Sequence, residues 1–184
     1  MIKIFKTTDS GVLQISEFED NSWISMTNPT TEELFSVSST YKIAPDDLRA
    51  SLDEEERSRI EIEEYYSLIL VDIPTIEERN GKDWYGTIPL AIIICDKVIV
   101  TVCLEDSPVL TAFMDGRVRN FYTHMKTRFI FQILYRNATL YLNYLRIIDR
   151  RSDAIEQKLH EATKNRELIE LLELEKSLVF FTTS

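Results

Sequence analysis

Pro29 constrains this chain more than any other residue, because of what stands on either side of it. Residues 23–34 read Trp-Ile-Ser-Met-Thr-Asn-Pro-Thr-Thr-Glu-Glu-Leu. A proline fixes its own φ, lacks an N–H and drives the preceding residue out of the α region. An aromatic-led strand must therefore stop at Asn28. Thr30 or Thr31 then offers an oxygen to cap a helix, and Glu32 and Glu33 sit at that helix's positive end. The segment commits the chain to a strand, a sharp corner and a helix. Many α/β proteins contain such a corner, so its meaning depends on the elements that come after it in the chain.

Short strands are expected at 2–6, 12–18 and 22–26, with turns at Asp9-Ser10-Gly11 and Glu19-Asp20-Asn21. Residues 31–41 and 45–56 read as helices. Residues 58–62 alternate apolar and polar like a half-buried strand, and 66–73 are apolar on both parities like a strand covered on both faces. Asn80-Gly81 signals a hairpin into 84–95, and Asp96-Lys97 a second one into 98–103. Seven strands with helices between and after them predict one mixed sheet between helical layers, an αβα sandwich. A helix over 108–119 and a long one over 122–162 come next. Leu134, Ala138, Tyr141, Leu145, Ile148, Ser152, Ile155 and Leu159 recur at alternating four- and three-residue steps, a heptad seam. Thr163-Lys-Asn165 reads as a break, with Asn165 capping a last helix. That helix carries Leu168, Leu171, Leu174, Leu178 and Phe181 along one face. The expected division is a sheet domain over 1–120 and, packed on it, a long helix plus the start of another over 121–184.

Charge narrows the function classes. Residues 1–100 hold 20 acids and 9 bases, whereas 101–184 hold 11 acids and 12 bases. Nucleic-acid partners need clustered Lys and Arg, so none is expected, and a cation suits the acidic half better. The apolar run 88–95 is too short to span a bilayer and includes Pro89. Residues 129–148 carry Arg136, Asn137, Asn143 and Arg146, which a spanning helix seldom tolerates. Antiparallel pairing across Asp96-Lys97 sets Cys95 opposite Val98 and not Cys103. Reduced core thiols in a cytosolic setting are therefore expected. No phosphate-binding glycine loop, nucleophile elbow or Cys-x-x-Cys is present, and no enzyme is expected. His124 and His160 are 36 residues apart on the expected long helix, with no second ligand at zinc spacing.

The order of these elements carries a resemblance. The Asn28-Pro29-Thr30 corner is followed by the acidic stretch Leu52-Asp-Glu-Glu-Glu-Arg57 and by Arg59-Ile-Glu61. Then come Glu63-Glu-Tyr-Tyr66 before Leu68-Ile-Leu-Val71, a last strand ending in Thr101-Val102, and a long helical tail. Together they resemble the N-terminal cytoplasmic domain of CorA-type magnesium transport proteins. The Gly-Met-Asn motif of that family's first membrane helix is absent. The resemblance implies a cytoplasmic domain of a plasma (inner) membrane protein, cut inside its stalk helix, whose membrane contact lies in segments this chain lacks. It implies Mg2+ or another divalent cation as ligand and cargo, and the protein's own subunits as partners in a homopentamer. It does not separate Mg2+ from Co2+ or Zn2+. The alternative is a non-transporting scaffold or interaction protein that retains the fold.

The resemblance also implies a regulatory ion between neighbouring subunits, held by a carboxylate just past the long inner strand. Residues 74–79, Pro-Thr-Ile-Glu-Glu-Arg, are read as the loop at that place, which makes Glu77, with Glu78 beside it, the candidate metal ligand. The partner carboxylate is expected beyond Ser184. Magnesium keeps most of its waters and needs only one or two carboxylates, so such a site has no compact motif. The plain reading of Glu77 and Glu78 as solvated hairpin residues stands beside this one. So does that of the 46–64 cluster, nine acids and three bases, as a solvated face instead of a cation-gathering one.

Overall fold

The strand–corner–helix segment forms as its residues dictate. In the computed structural model, which describes residues 1–79, 81–161 and 165–183, Trp23–Thr27 is a strand and Thr31–Tyr41 a helix. Thr30 is the N-cap. Its hydroxyl accepts from Glu33 N at 3.2 Å, and the Glu33 carboxylate accepts from Thr30 N at 2.8 Å, a reciprocal capping box. Asn28 takes a positive φ of 39° and donates its N–H to Cys103 O at 2.9 Å. The corner is thereby tied to the end of another strand.

Seven strands run β1 (Ile2–Thr8), β2 (Gly11–Ile15), β3 (Trp23–Thr27), β4 (Arg59–Ile62), β5 (Tyr66–Arg79), β6 (Lys82–Cys95) and β7 (Ile99–Cys103). The helices are α1 (Thr31–Tyr41), α2 (Pro45–Ala50), α3 (Pro108–Met114), α4 (Lys126–Glu161) and α5 (Asn165–Thr183). The sheet order is β2-β1-β3-β7-β6-β5-β4. The β3–β7 pair is parallel, with Trp23 opposite Ile99 and Thr27 opposite Cys103, whereas β1–β2, β1–β3, β6–β7 and β4–β5 are antiparallel. The mixed seven-stranded sheet with helices is the fold class expected from the sequence. β3 and β7 are almost wholly buried, as a parallel pair covered on both faces must be.

The chain forms two compact units, Met1–Ile73 with Ile88–Arg136, and Pro74–Thr87 with Asn137–Ser184. This partition differs from a division at 120, because the distal half of the β5–β6 hairpin groups with the C-terminal helices. In the first unit, Leu34, Val37 and Leu48 of α1 and α2 pack with Ile24, Met26, Ile93, Val100 and Val102 on one face of the sheet. On the other face, Trp23 meets Phe113, Phe121 and Phe129 with ring centroids 6.3, 6.1 and 5.0 Å away. Its Nε1 donates to Thr101 Oγ1 at 2.9 Å, satisfying the one polar atom of a fully buried indole. Cys95 N pairs with Val98 O at 3.0 Å, as the hairpin reading requires, and both cysteines are free and buried. Burial pushes both thiols up to about 11. In the second unit, Tyr85, Tyr144, Ile148, Ile155 and Leu174 form a core joined by Leu171 and Phe181.

Several boundaries depart from the sequence reading, each for a local reason. α2 stops at Ala50, not Glu56, because Asp53 Oδ1 accepts from Glu55 N at 3.0 Å and holds a turn there. α3 stops at Met114 because Gly116 adopts a φ of 67° and Arg117 N reaches back to Ala112 O at 3.0 Å, a Schellman closure. The long helix starts at Lys126, not Tyr122. Thr123 is drawn toward β1, its N–H donating to Thr7 Oγ1 at 2.9 Å. His124 therefore precedes that helix, and the His160 side chain and the expected break at 163–164 lie outside the described residues.

The buried line on α4 runs through Phe129, Ile133, Asn137, Tyr144, Ile148 and Ile155. Among the described residues it shares only Ile148 and Ile155 with the expected seam, and the Leu159 side chain lies outside them. Ala138 is exposed, and Leu134, Tyr141, Leu145 and Ser152 lie at the margin. The line follows the 3.6-residue period of a globular helix and not a coiled-coil seam. On α5 the Leu174 side of the expected leucine face is covered, with Phe181 against Tyr141 at 5.1 Å. Leu168 and Leu178 stay exposed.

Candidate metal centre

Glu77 and Glu78 stand on a strand, not in a loop. The sequence reading ended that strand before Pro74, but β5 continues to Arg79. Proline is tolerated there because β4 pairs only with Ser67–Leu70, so β5 is itself an edge beyond that point and the missing N–H breaks no ladder. Gly81, at a φ of 74°, turns the chain into β6.

A strand sends successive side chains to opposite faces. Glu77 and Glu78 are therefore not a chelating pair, while Glu77 and Arg79 share a face. Arg79 Nε donates to Glu77 Oε2 at 2.8 Å and its Nη2 lies 2.7 Å from the same oxygen. The guanidinium also stacks over the Trp84 ring, 4.8 Å from its centroid. Both charges are about half exposed, at 50% for Glu77 and 55% for Arg79, so water screens their attraction. Farther along the hairpin, Asp83 accepts from Arg151 of α4 at 2.6 Å, and Arg151 lies 5.4 Å from the Tyr85 ring centroid.

Beside these residues is a cavity of about 660 Å³, lined by Arg79, Asp83, Trp84, Arg151, Glu170 and Glu173 among others. Its charges alternate in sign and its arginines already face carboxylates. Among the described residues, no group of three or more His, Cys, Asp or Glu could hold a metal ion. Glu77 thus fits an ion only as one carboxylate of a shared, water-rich site. Sequence reasoning missed Arg79 as its present counter-charge. The i, i+2 spacing would have revealed it had the strand been carried past Pro74.

The acidic 46–64 segment is neutralised in part from within. Arg59 lies 2.5 Å from both Glu56 and Glu61, and the Tyr66 hydroxyl donates to Asp47. Burial, with that bond second, pushes the Tyr66 hydroxyl up to about 12.

Comparison with known proteins gives a consistent result. Residues 18–184 match the family described as CorA-like Mg2+ transporter protein. The chain is 30% identical over 171 residues to the cobalt/magnesium transport protein CorA of Methanocaldococcus jannaschii, an overlap of 88% of this chain and 51% of that protein. It therefore spans about half the length of that relative. Its fold is similar to the soluble domain of CorA from Methanocaldococcus jannaschii, with a TM-score of 0.84 at 23% identity over 100% of this chain and 74% of that one. The complete CorA magnesium transporter of the same organism gives 0.82 at 22%, covering 98% of this chain and 58% of that one. The ZntB cytoplasmic domain from Vibrio parahaemolyticus gives 0.71 at 9%, covering 98% and 72%. No helix among the described residues is long and apolar enough to cross a membrane.

Proposed function

The chain belongs to the CorA-like Mg2+ transporter family, and on that premise we propose that it is the cytoplasmic regulatory domain of a divalent-cation channel, gated by cations bound between subunits. Mg2+ is the expected cargo, and a homopentamer of the full-length protein the expected assembly. The observation that supports the gating reading is the Glu77–Arg79 pair. It is a carboxylate at an exposed hairpin end, already holding a positive charge that water can loosen. Glu77 would contribute one oxygen ligand to an ion shared with a neighbouring subunit's carboxylate. Glu78, on the other strand face, would add negative potential without sharing that ion. A divalent cation bridging two carboxylates favours the assembled state, and its loss removes that preference, a population shift by differential binding.

The test is limited proteolysis of the full-length protein with Mg2+ and with chelator. Glu77→Lys places a fixed cation at the proposed ligand position. We expect the wild type to become protease-sensitive in chelator and Glu77→Lys to stay protected. An identical response of both proteins to chelator would leave Glu77 as a solvated hairpin residue.

A further inference from the structure

The cavity of about 660 Å³ belongs wholly to the unit formed by Pro74–Thr87 and Asn137–Ser184, and its volume is that of a small-molecule site. Part of its lining is apolar: Ile155 of α4 and Leu174 of α5, both buried, stand there with Trp84 of β6. Ser177, itself 2% exposed, adds a hydroxyl. That hydroxyl donates to Glu173 O at 3.3 Å within its own helix, so its lone pairs stay free to accept.

Charge decides what such a space can hold. Among the described residues, the carboxylates of Asp83, Glu170 and Glu173 line it with the guanidiniums of Arg79 and Arg151. Both guanidiniums are already answered, Arg79 by Glu77 at 2.7 Å and Arg151 by Asp83 at 2.6 Å. Glu170 and Glu173 stand one turn apart on one side of α5. The Glu173 carboxylate has no counter-charge among the described residues. An anion would have to strip an arginine of its carboxylate, whereas a cation meets an unused acceptor. A divalent ion is a poor occupant, because no three ligating side chains among the described residues converge and a hydrated Mg2+ gains nothing from an indole or a leucine. An organic ammonium gains from both kinds of lining.

We propose that this cavity binds a linear aliphatic polyamine. One ammonium donates to the Glu173 carboxylate and the Ser177 hydroxyl, and the methylene chain covers Leu174, Ile155 and the indole. With Glu77 counted, four carboxylates accompany two guanidiniums among the described residues, an excess of two negative charges. A single ammonium answers half of that excess, and a second one answers the rest. The ligand is distinct from the ion proposed at Glu77, and its binding requires no Mg2+.

The experiment is titration of this chain with putrescine in chelator at about 0.15 M salt, where attraction between distant exposed charges is screened. The chain holds two tryptophans, and Trp23 is fully buried in the other unit, so a change in Trp84 emission reports the cavity. A saturable emission change is expected, with one site by calorimetry. Glu173→Gln is expected to weaken binding about tenfold. Glu175→Gln removes the same charge from an exposed position of the same helix outside the lining and should leave the affinity within about twofold. Putrescine should bind more tightly than butylamine, which has the same carbon chain and one ammonium fewer. Circular dichroism checks that both variants keep the fold. The absence of a saturable change, equal losses in the two glutamine variants, equal affinity for butylamine and putrescine, or the same emission change from Mg2+ alone without chelator would each overturn the proposal.

Discussion

Arg79 places two nitrogens on one oxygen of Glu77, Nε at 2.8 Å and Nη2 at 2.7 Å. The guanidinium occupies one of the two carboxylate oxygens that a divalent ion could use and neutralises the charge that would attract it. If Glu77 contributes to an ion site, Arg79 is its internal competitor. Arg79→Ala should therefore lower the Mg2+ concentration needed for protease protection of the full-length protein, by a few-fold for so exposed a pair. An unchanged or raised midpoint would count against a role for Glu77.

The capping box offers a separate check on the corner at Pro29. Thr30→Ala removes the oxygen that accepts from Glu33 N and should cost about 1 kcal/mol, read from a urea denaturation midpoint. Thr30→Ser keeps the oxygen and should cost a few tenths at most. Equal losses in the two variants would mean that the methyl group, not the cap, is what matters.

Trp23 is fully buried among Phe5, Phe113, Phe121 and Phe129. Trp23→Ala should cost about 3–5 kcal/mol, since the void forms where sheet, α3 and α4 meet and cannot collapse without moving all three. A loss below about 1 kcal/mol in chemical denaturation would show that this aromatic cluster repacks freely.

Glu33 also gives the fold a pH dependence. Its carboxylate lies 2.8 Å from the Met1 ammonium. The hydrogen bond to that ammonium, with backbone bonds from Thr30 and Ile2 and against the opposing effect of burial, holds its pKa below the ordinary 4.5. A carboxyl group with a depressed folded-state pKa contributes stability that is full above its unfolded value and is lost as pH falls through the folded one. Stability should therefore decline below pH 4.5, and Glu33→Gln should flatten part of that decline. Acetylating the N-terminus should act in the same direction by removing the first cause. A variant whose pH profile parallels the wild type below that point would rule this coupling out.

Local chemistry was legible in the sequence. Pro29 ended a strand, Thr30 capped a helix, and two residues at Asp96-Lys97 fixed Cys95 against Val98. These outcomes depend on atoms within a few residues of one another, so periodicity and turn chemistry suffice. The order of the elements was also enough to point to the family that residues 18–184 match. Tertiary structure decided what depends on a distant neighbour. Pro74 breaks a strand by propensity, yet β5 runs past it because β4 is too short to need its missing N–H. That extension turned Glu77 and Glu78 from a loop pair into residues on opposite faces and brought Arg79 onto the first. The parallel pairing of β3 with β7 arises across 71 intervening residues, and no local signal encodes it. On α4, apolar residues surround the helix, so composition allowed several stripes; Trp23 and Phe113 selected Phe129, and Tyr85 selected Tyr144. Sequence thus determined where the chain turns and which segments bury themselves, while the partners of each buried face required the assembled core.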